Sequence, residues 1–422
     1  MPEVVTPSAV SDAGRSFLRL ALLPDVGPIR ARNLIEHFGG VETIFQASIA
    51  DLQRVDRVGP IVAEGIFRAR RDVDAVDREI AVAIRHGVRI LCPLDADFPR
   101  PLLNMPDPPI CIYIKGMLQP ADAVAVAIVG TRRCSHYGHE QAERFAEALA
   151  GAGFTVVSGM ARGIDGCAHE AAMRAGGRTL AVLGNGLAHI YPPEHEGLAR
   201  RIEGAGALVS ELPIEAAPEA KNFPMRNRLI AGLTLGVIVI EAGKKSGALI
   251  TARHACEYNR EVFALPGRID RPEVSAGVNG LIRDGGAKLI TCLDDVLDEL
   301  KEVGRIMRRG LETAPNDGAV PSDSVRNNTK DRASNEGSAE RAAIHACATS
   351  GQGTPTTAEG NAKAPGDADD AMLSAMRDGA ETVDAIADST GRGIGDVLGT
   401  LTRLELAGRI KRLPGDRFEL KR

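Results

Sequence analysis

The sequence predicts an α/β protein built around a doubly wound, mostly parallel sheet. Short apolar runs rich in β-branched residues recur in the middle of the chain, and amphipathic helical patterns separate them. Such runs are typical of strands buried on both faces, and the helices between them make the crossover connections of a parallel sheet. The predicted strands lie at residues 125–130, 154–159, 179–184, 207–211, 235–242, 261–267 and 287–291.

Composition limits the classes of protein that need to be considered. A length of 422 residues suggests about two to four domains. The net charge of -5 excludes a globally basic nucleic-acid coat, so any polyanion site must be local. The seven cysteines include no C-x-x-C pair, which predicts reduced, mostly structural thiols and no metal site. Without a signal pattern or a long apolar run, we expect a cytoplasmic protein that does not insert into a membrane.

A helical domain of the helix-hairpin-helix or SAM-like type is predicted at residues 15–89, after an N-terminal tail at residues 1–14. Two segments in it share a V-G-P-I core followed by an amphipathic helix, which indicates tandem hairpin units. Their turn glycines, Gly27 and Gly59, bring backbone amides to the surface, where duplex phosphates can bind. A module that only packs or mediates association fits the same pattern, and both interpretations stay open.

The α/β domain is predicted at residues 90–304, and its first part is a proline-punctuated connector with strand character along the edge of the sheet. A disordered linker follows at residues 305–368, because residues 312–368 contain no Leu, Met, Phe, Tyr or Trp and cannot form a core.

A winged-helix domain is predicted at residues 369–422, where three helical patterns precede a hairpin around Pro414 and Gly415. From residue 401 onward there are seven basic and three acidic residues, which suits a wing that faces phosphates. The third helical pattern lacks an array of base-reading side chains, so a protein-docking module is the alternative.

Two glycine-rich turns, at the ends of the second and fifth predicted strands, are candidate phosphate sites. Each ends a β-branched run in small residues before a helix, so that backbone N–H groups can face a bound anion. In the first turn Ser158, Gly159 and Gly163 permit close backbone approach, and Arg162 can bind phosphate through two hydrogen bonds.

Further cations follow the first and fifth strands, whose carboxyl ends share one crevice in an open parallel sheet. The residues that we expect there are Arg132, Arg133, Lys244, Lys245, Ser246 and Gly247.

A basic cluster, KNFPMRNR, lies between the two turns in sequence. It adds Lys221, Arg226 and Arg228 around Phe223, whose ring can stack on a base. A ligand with several phosphates and stackable bases fits this set better than a lone nucleotide does, which points to single-stranded nucleic acid.

The sequence lacks the residue patterns that dinucleotide binding, metal binding and nucleophilic catalysis require. The first strand is not followed by G-x-G-x-x-G, which makes dinucleotide binding a poor fit. Asp165, His169 and Glu170 share one helix face, but a capping carboxylate and a packed histidine explain them better than a metal pair does. No serine stands in a nucleophile elbow, so we expect neither a catalytic residue nor a cofactor.

Several segments together resemble the bacterial DNA-processing protein A (DprA/Smf) family across residues 90–300. They include AIVGTRRCSHYG, VVSGMARGIDGCAHEAAM, KNFPMRNRLIAGL and VIVIEAGKKSGALITARHA. The resemblance implies an extended Rossmann-like domain that binds single-stranded DNA, loads the recombinase RecA, protects incoming strands during natural transformation and forms a homodimer. The groove residues it implies are Arg132, Ser158, Gly159, Arg162, Gly163, Lys221, Phe223, Arg226, Arg228 and Lys244.

The leading hypothesis is therefore a recombination mediator without enzymatic activity. One alternative is a Rossmann-like, phosphoribohydrolase-like enzyme that cleaves nucleotides, although such enzymes use P-G-G-x-G-T-x-x-E where this chain has EAGKKSGALITARHA. The other is a transcription regulator that binds duplex operators through its winged helix.

Overall fold

The computed structural model describes residues 10–70, 74–301, 303–307, 365–377, 379–380, 382–391, 397, 400–401, 404, 409–413 and 417–420. The chain divides into two compact units, Met1–Thr313 and Ala314–Arg422. Among the described residues, no helix combines the length and apolar character that crossing a membrane requires.

Six helices open the first unit, and two of them begin at the predicted hairpin glycines. Gly27 and Gly59 are the N-caps, with φ of -85° and -83°, and a proline follows each. The Nε of Arg30 donates to the carbonyl of Arg57 at 2.9 Å, which ties one hairpin to the other. The helices are α1 (Asp12–Ala21), α2 (Pro28–Phe38), α3 (Val41–Ile44), α4 (Ile49–Leu52), α5 (Pro60–Ala69) and α6 (Asp74–His86).

A nine-stranded sheet forms the centre of the first unit, in the order β1-β2-β6-β5-β4-β3-β7-β8-β9. The seven predicted strands are all present as β3 to β9 and pair in parallel, which confirms the fold class. The connector supplies β1 and β2, which pair antiparallel at one edge. The strands are β1 (Arg89–Leu91), β2 (Ile112–Gly116), β3 (Ala125–Val129), β4 (Thr155–Ser158), β5 (Thr179–Val182), β6 (Gly206–Ser210), β7 (Gly236–Val239), β8 (Glu261–Ala264) and β9 (Lys288–Leu289).

Helices cover both faces of this sheet. Val126 and Ile128 of β3 belong to one apolar core, and Ala127, between them, belongs to the other, because successive side chains of a strand point to opposite faces. Further helices of the unit are α7 (Arg100–Leu103), α8 (His136–Gly151), α9 (Ile164–Arg174), α10 (Glu196–Ala205), α11 (Asn222–Gly232), α12 (Ala248–Glu257), α13 (Pro272–Arg283) and α14 (Leu293–Glu299).

The N-terminal helices share a continuous core with the sheet domain. Leu18 and Leu34 belong to the same buried cluster as Leu183, which follows β5, and Ile202 of α10. The helical region is therefore packed onto the α/β domain through apolar contacts.

The second unit has the elements of the predicted winged helix. Helices α15 (Pro365–Arg377) and α16 (Val383–Thr390) precede the antiparallel pair β10 (Ile410–Leu413) and β11 (Arg417–Leu420). Met372, Ile386 and Phe418 are buried together.

Several C-terminal predictions fall partly on residues outside the described ranges. Within the predicted third helix only 397, 400, 401 and 404 are described, and all four are helical and buried. The hairpin turn at 414–416 lies outside the described residues, as does the predicted linker from 308 to 364. At the two ends of that predicted linker, residues 305–307 and 365–368 are helical.

Gly206 allows β6 to lie against β5. A Cβ at this position would be 1.9 Å from the carbonyl oxygen of Thr179, its register partner, whereas a Cβ on Gly204 would meet nothing within 4 Å. We expect Gly206→Ala to lower the free energy of unfolding by at least about 1–3 kcal/mol in a urea titration. Gly204→Ala is the matched control near the end of α10, and it should raise the same quantity slightly, by up to about 0.5–1 kcal/mol. Equal values for the two variants would contradict this packing.

Candidate nucleic-acid interface

A large cleft lies at the carboxyl ends of β3 and β7. From β3 the strands follow in chain order through β4 and β5 to β6 on one side of the sheet, and from β7 through β8 to β9 on the other side. The order reverses between the adjacent strands β3 and β7, which makes this the topological switch point where α/β proteins bind ligands. The cleft has a volume of about 1360 Å³. Residues that line it come mainly from the loops after β3 and β7 and from α11.

Four exposed cations line this cleft. Arg132 and Arg133 follow β3, and Lys244 and Lys245 follow β7. In the described part of the chain none of the four has a carboxylate within 4.0 Å. We call these four residues the cation set; their charges are available to a bound polyanion.

Phe223, the aromatic wall of the cleft, is half-buried. The guanidinium carbon of Arg132 lies 5.6 Å from the centre of its ring, and the ring of Tyr191 lies 5.4 Å away at 50°. Behind Phe223 is Gly184, where a Cβ would be only 2.8 Å from the phenylalanine ring. The ring thus has a fixed position and lines the cleft, where a base can stack on it.

Two buried charges lie at the base of the cleft and hold the turn after β4. The Nη1 of Arg226 donates to the carbonyl of Gly159 at 2.6 Å and also to that of Val182. The Oδ2 of Asp165 accepts from the amides of Gly159 and Ala161 at 3.1 and 3.3 Å. Burial lowers the pKa of Arg226 to about 10, which leaves it charged at neutral pH, and burial raises the pKa of Asp165 while Arg226 opposes that rise.

The first glycine turn consequently has a different role from the one that its sequence suggested. We expected backbone amides of this turn, with Gly159 among its residues, to face a bound anion, but the amides of Gly159 and Ala161 are occupied by the carboxylate of Asp165. Ser158 is fully buried, and its hydroxyl donates to the carbonyl of Ile128 at 2.6 Å. The protein's own carboxylate fills the position that we predicted for a phosphate.

The other two residues of that turn lie outside the lining of the cleft. Arg162 is exposed and pairs with Glu194. Gly163 has a φ of +74°, and a Cβ on it would be 2.5 Å from the carbonyl oxygen of Thr131. Gly163 therefore allows the segment that carries Arg132 to pack against the start of α9.

The predicted basic cluster is split by the geometry of α11. Residues 226 and 228 lie about 200° apart around a helix, so they cannot face one ligand. Arg228 is buried away from the cleft, where it donates to Glu211 and, at 2.5 Å, to the carbonyl of Asp107. Lys221 is exposed but pairs with Glu219 at 2.8 Å and does not line the cleft.

The second glycine turn lies in the cleft as expected. Lys244, Ser246 and Gly247 all line it. The Nδ2 of Asn227 donates to the carbonyl of Gly247 at 3.1 Å, and the Ser246 hydroxyl accepts from the amide of Ala248 at 3.3 Å. These bonds fix the start of α12 beside the cation set, where the positive end of the helix dipole favours an anion.

The carboxylates and histidine on α9 do not form a metal site. His169 is fully buried and shares a hydrogen bond with the Thr179 hydroxyl at 2.7 Å; burial lowers its pKa to about 3, with His195 contributing. Glu170 pairs with Arg201 at the surface. Over the described ranges, no group of three His, Cys, Asp or Glu residues could hold a metal ion.

Together, the doubly wound sheet and its cationic cleft define a Rossmann-like protein with a helix-hairpin-helix region and a winged-helix domain. The family model described as DNA recombination-mediator protein A matches residues 89–301. A model for the DprA winged helix domain matches residues 356–416, and one for the helix-hairpin-helix motif matches residues 18–70. The chain belongs to the DNA recombination-mediator protein A family.

Individual relatives agree with this assignment and confirm the resemblance seen in the sequence. Protein Smf of Synechocystis sp. is 34% identical, over 96% of this chain and 98% of that protein. Protein Smf of Escherichia coli (strain K12) is 38% identical, over 79% of this chain and 78% of that protein. The crystal structure of DNA processing protein A from Streptococcus pneumoniae is 33% identical and superposes with a TM-score of 0.59, covering 69% of this chain and 98% of that one.

Removal of Arg226 tests the role of the buried charges. We expect Arg226→Ala to lower the free energy of unfolding by about 3–5 kcal/mol in urea, because Asp165 would be left buried without its opposite charge. Arg162→Ala is the matched control: it removes an exposed arginine three residues from Asp165 and should leave stability unchanged. If both variants were as stable as the wild type, the turn would not depend on these charges.

Proposed function

We propose that this protein is a recombination mediator that binds single-stranded DNA in the cleft and catalyses no reaction. The observation that carries the proposal is the cation set, four exposed charges with no carboxylate within 4.0 Å among the described residues, beside a partly exposed phenylalanine ring. Membership of the DNA recombination-mediator protein A family supports it, as do the names of relatives such as the DNA processing protein DprA of Bacillus subtilis.

The chemistry of the cleft suits a strand whose bases are not paired. The cation set can neutralise successive phosphates, and the ring of Phe223 can stack on a base that a duplex would hide. Stacking accepts any base and phosphate contacts carry no sequence information, so binding should be independent of sequence and weakened by salt.

Dimerisation and delivery of DNA to a recombinase complete the proposal. We infer from the family resemblance that the α/β domain forms a homodimer, that the bound strand is protected and passed to RecA, and that this takes place in the cytoplasm during natural transformation. Light scattering of the full chain tests dimerisation. The assembly of RecA filaments on strands covered by a single-strand-binding protein tests the delivery of DNA separately.

The nucleotide-cleaving alternative has less support in the geometry. The turn after β7 carries Lys244 and Lys245, and Glu241 at the end of that strand is buried, where it accepts from the amide of Ser135 at 2.9 Å. Two carboxylates line the cleft. The carboxylate of Asp165 binds backbone amides, and the Oε1 of Glu273 lies 3.9 Å from the Nη1 of Arg271. Release of free base from nucleoside monophosphates by the purified chain would favour the enzyme.

Removal of two cleft lysines should weaken strand binding and its dependence on salt. Each phosphate contact contributes about -0.7 to the slope of log K against log salt for a single strand, so the cation set predicts a slope near about -3. The double variant Lys244→Ala with Lys245→Ala should reduce the magnitude of that slope by about 1.4, measured by fluorescence anisotropy with an unstructured oligonucleotide.

The matched control is the double variant Arg162→Ala with Lys221→Ala. It removes the same formal charge from two exposed residues that are paired with carboxylates outside the cleft. We expect it to retain the wild-type slope. If both double variants lost affinity equally, binding would depend on overall charge and the cleft assignment would be wrong.

The ring of Phe223 should contribute through stacking. Phe223→Leu keeps an apolar side chain but removes the aromatic face, so we expect strand affinity to fall by about 1–3 kcal/mol, or about five- to 150-fold. Phe223→Tyr preserves the face and should bind as the wild type does. A leucine variant with unchanged affinity and unchanged unfolding would exclude stacking at this position.

A further inference from the structure

Glu241 is a buried carboxylate at the point where the loops after β3 and β7 meet. It lies two residues after β7 and three residues before Lys244, and only 3% of it is exposed. The residue does not line the cleft itself. Burying a charge is costly unless the protein supplies partners for it, so the contacts of Glu241 indicate what it does.

The segment between β3 and α8, which carries Arg132 and Arg133, is held at both ends by Glu241. The backbone carbonyl of Glu241 accepts from the amide of Thr131 at 2.8 Å. Its side chain accepts from the amide of Ser135 at 2.9 Å and from the hydroxyl of the same serine at 2.5 Å. Because the two arginines lie between these anchors, one residue fixes their backbone relative to the loop that carries the other half of the cation set.

The start of α8 is well suited to this carboxylate. Ser135 is the N-cap of the 16-residue helix, and its hydroxyl oxygen accepts from the amide of Gly138 at 3.1 Å. The same hydroxyl donates its proton to Glu241, so the carboxylate orients the cap. The positive end of the helix dipole favours a negative charge here, and hydrogen bonds that follow one another in this way strengthen each other.

Gly138 leaves the space that the carboxylate occupies. A Cβ at this position would be 2.3 Å from the Oε2 of Glu241 and 2.5 Å from its Cδ, so no side chain fits unless the carboxylate moves away from Ser135. Gly151, at the other end of the same helix, is a matched position, because a Cβ there would meet nothing within 4 Å.

We propose that Glu241 is a positioning residue for the binding of single-stranded DNA, which holds Arg132 and Arg133 so that they face the same strand as Lys244 and Lys245; the effect on binding rests on the proposed function. A carboxylate repels phosphates, so any gain in affinity from Glu241 must come from the geometry that it imposes. A loop that is already held in place loses less conformational entropy when a strand binds.

The two glycines test this proposal without a change of charge. Gly138→Ala should displace the carboxylate and weaken the binding of an unstructured oligonucleotide at least about fivefold, because two long side chains must then be ordered on binding. Gly151→Ala should bind as the wild type does. Fluorescence anisotropy of the full chain measures the affinity, and a urea titration establishes that each variant is folded. A folded Gly138→Ala protein with wild-type affinity would overturn the effect on binding.

Two substitutions of Glu241 separate the reach of its side chain from its charge. Glu241→Gln removes the charge but keeps the length and one oxygen that can accept from the amide of Ser135. Glu241→Asp keeps the charge but is shorter by one methylene group. We expect the glutamine variant to bind strands more nearly as the wild type does than the aspartate variant. The reverse order would overturn the proposal, because charge would then matter more than contact.

A third comparison tests whether Glu241 acts through the arginines. In a protein that already carries Arg132→Ala and Arg133→Ala, Gly138→Ala should cause no further loss of affinity, because the side chains that Glu241 positions are gone. A further loss as large as in the wild-type background would mean that the substitution damages the cleft in another way, which would contradict a positioning role.

Hydrogen exchange separates this inference from the proposed function. In the free protein, Gly138→Ala should speed exchange at the amides of Thr131 and Ser135, followed by mass spectrometry, whereas Gly151→Ala should not. Unchanged exchange would overturn the positioning role whether or not the protein binds DNA. Failure of the wild-type protein to bind strands would contradict the proposed function itself, while the exchange rates would still test the contact.

Discussion

Asp165 and Arg226 hold the turn after β4 between them, and the cleft depends on that arrangement. The carboxylate binds the amide of Gly159, and the guanidinium binds its carbonyl. Because Arg226 is on α11, the same contact fixes the helix that carries Phe223 and so the aromatic wall of the cleft. Each charge favours the ionised form of the other in this buried position, so removing either one would leave the other buried without an opposite charge nearby, which is far more costly than losing an exposed pair.

The basic residues consequently fall into two groups with different physical roles. Arg226 and Arg228 are buried and satisfied by carbonyls and carboxylates of the chain, whereas the cation set is exposed and no described carboxylate lies within 4.0 Å of it. A guanidinium suits the first role because it can serve several acceptors at once. A cation that faces solvent can exchange its water and counterions for phosphates without leaving a buried charge behind.

The sheet could be predicted because each parallel strand is an apolar run in which both faces are buried, and that pattern is local. The place of the cleft followed from topology, since the loops after β3 and β7 must meet at the switch point. The roles of Arg226 and Arg228 could not be predicted, because the carbonyls of Gly159 and Asp107 that they bind are 67 and 121 residues away in sequence. The contribution of Tyr191, whose ring lies 5.4 Å from that of Phe223, had no sequence signal.

The shared core of the helical region and the sheet has a consequence for how the protein can be divided. Leu183, Leu208 and Ile202 belong to the same buried cluster as Leu18 and Leu34 of the N-terminal helices. A fragment that began at β1 would expose this apolar surface to water, with a tendency to aggregate and a lower thermal stability. The helices of the hairpin repeat thus cover part of the apolar surface of the sheet domain. A relative that lacks them must cover the same surface with other residues.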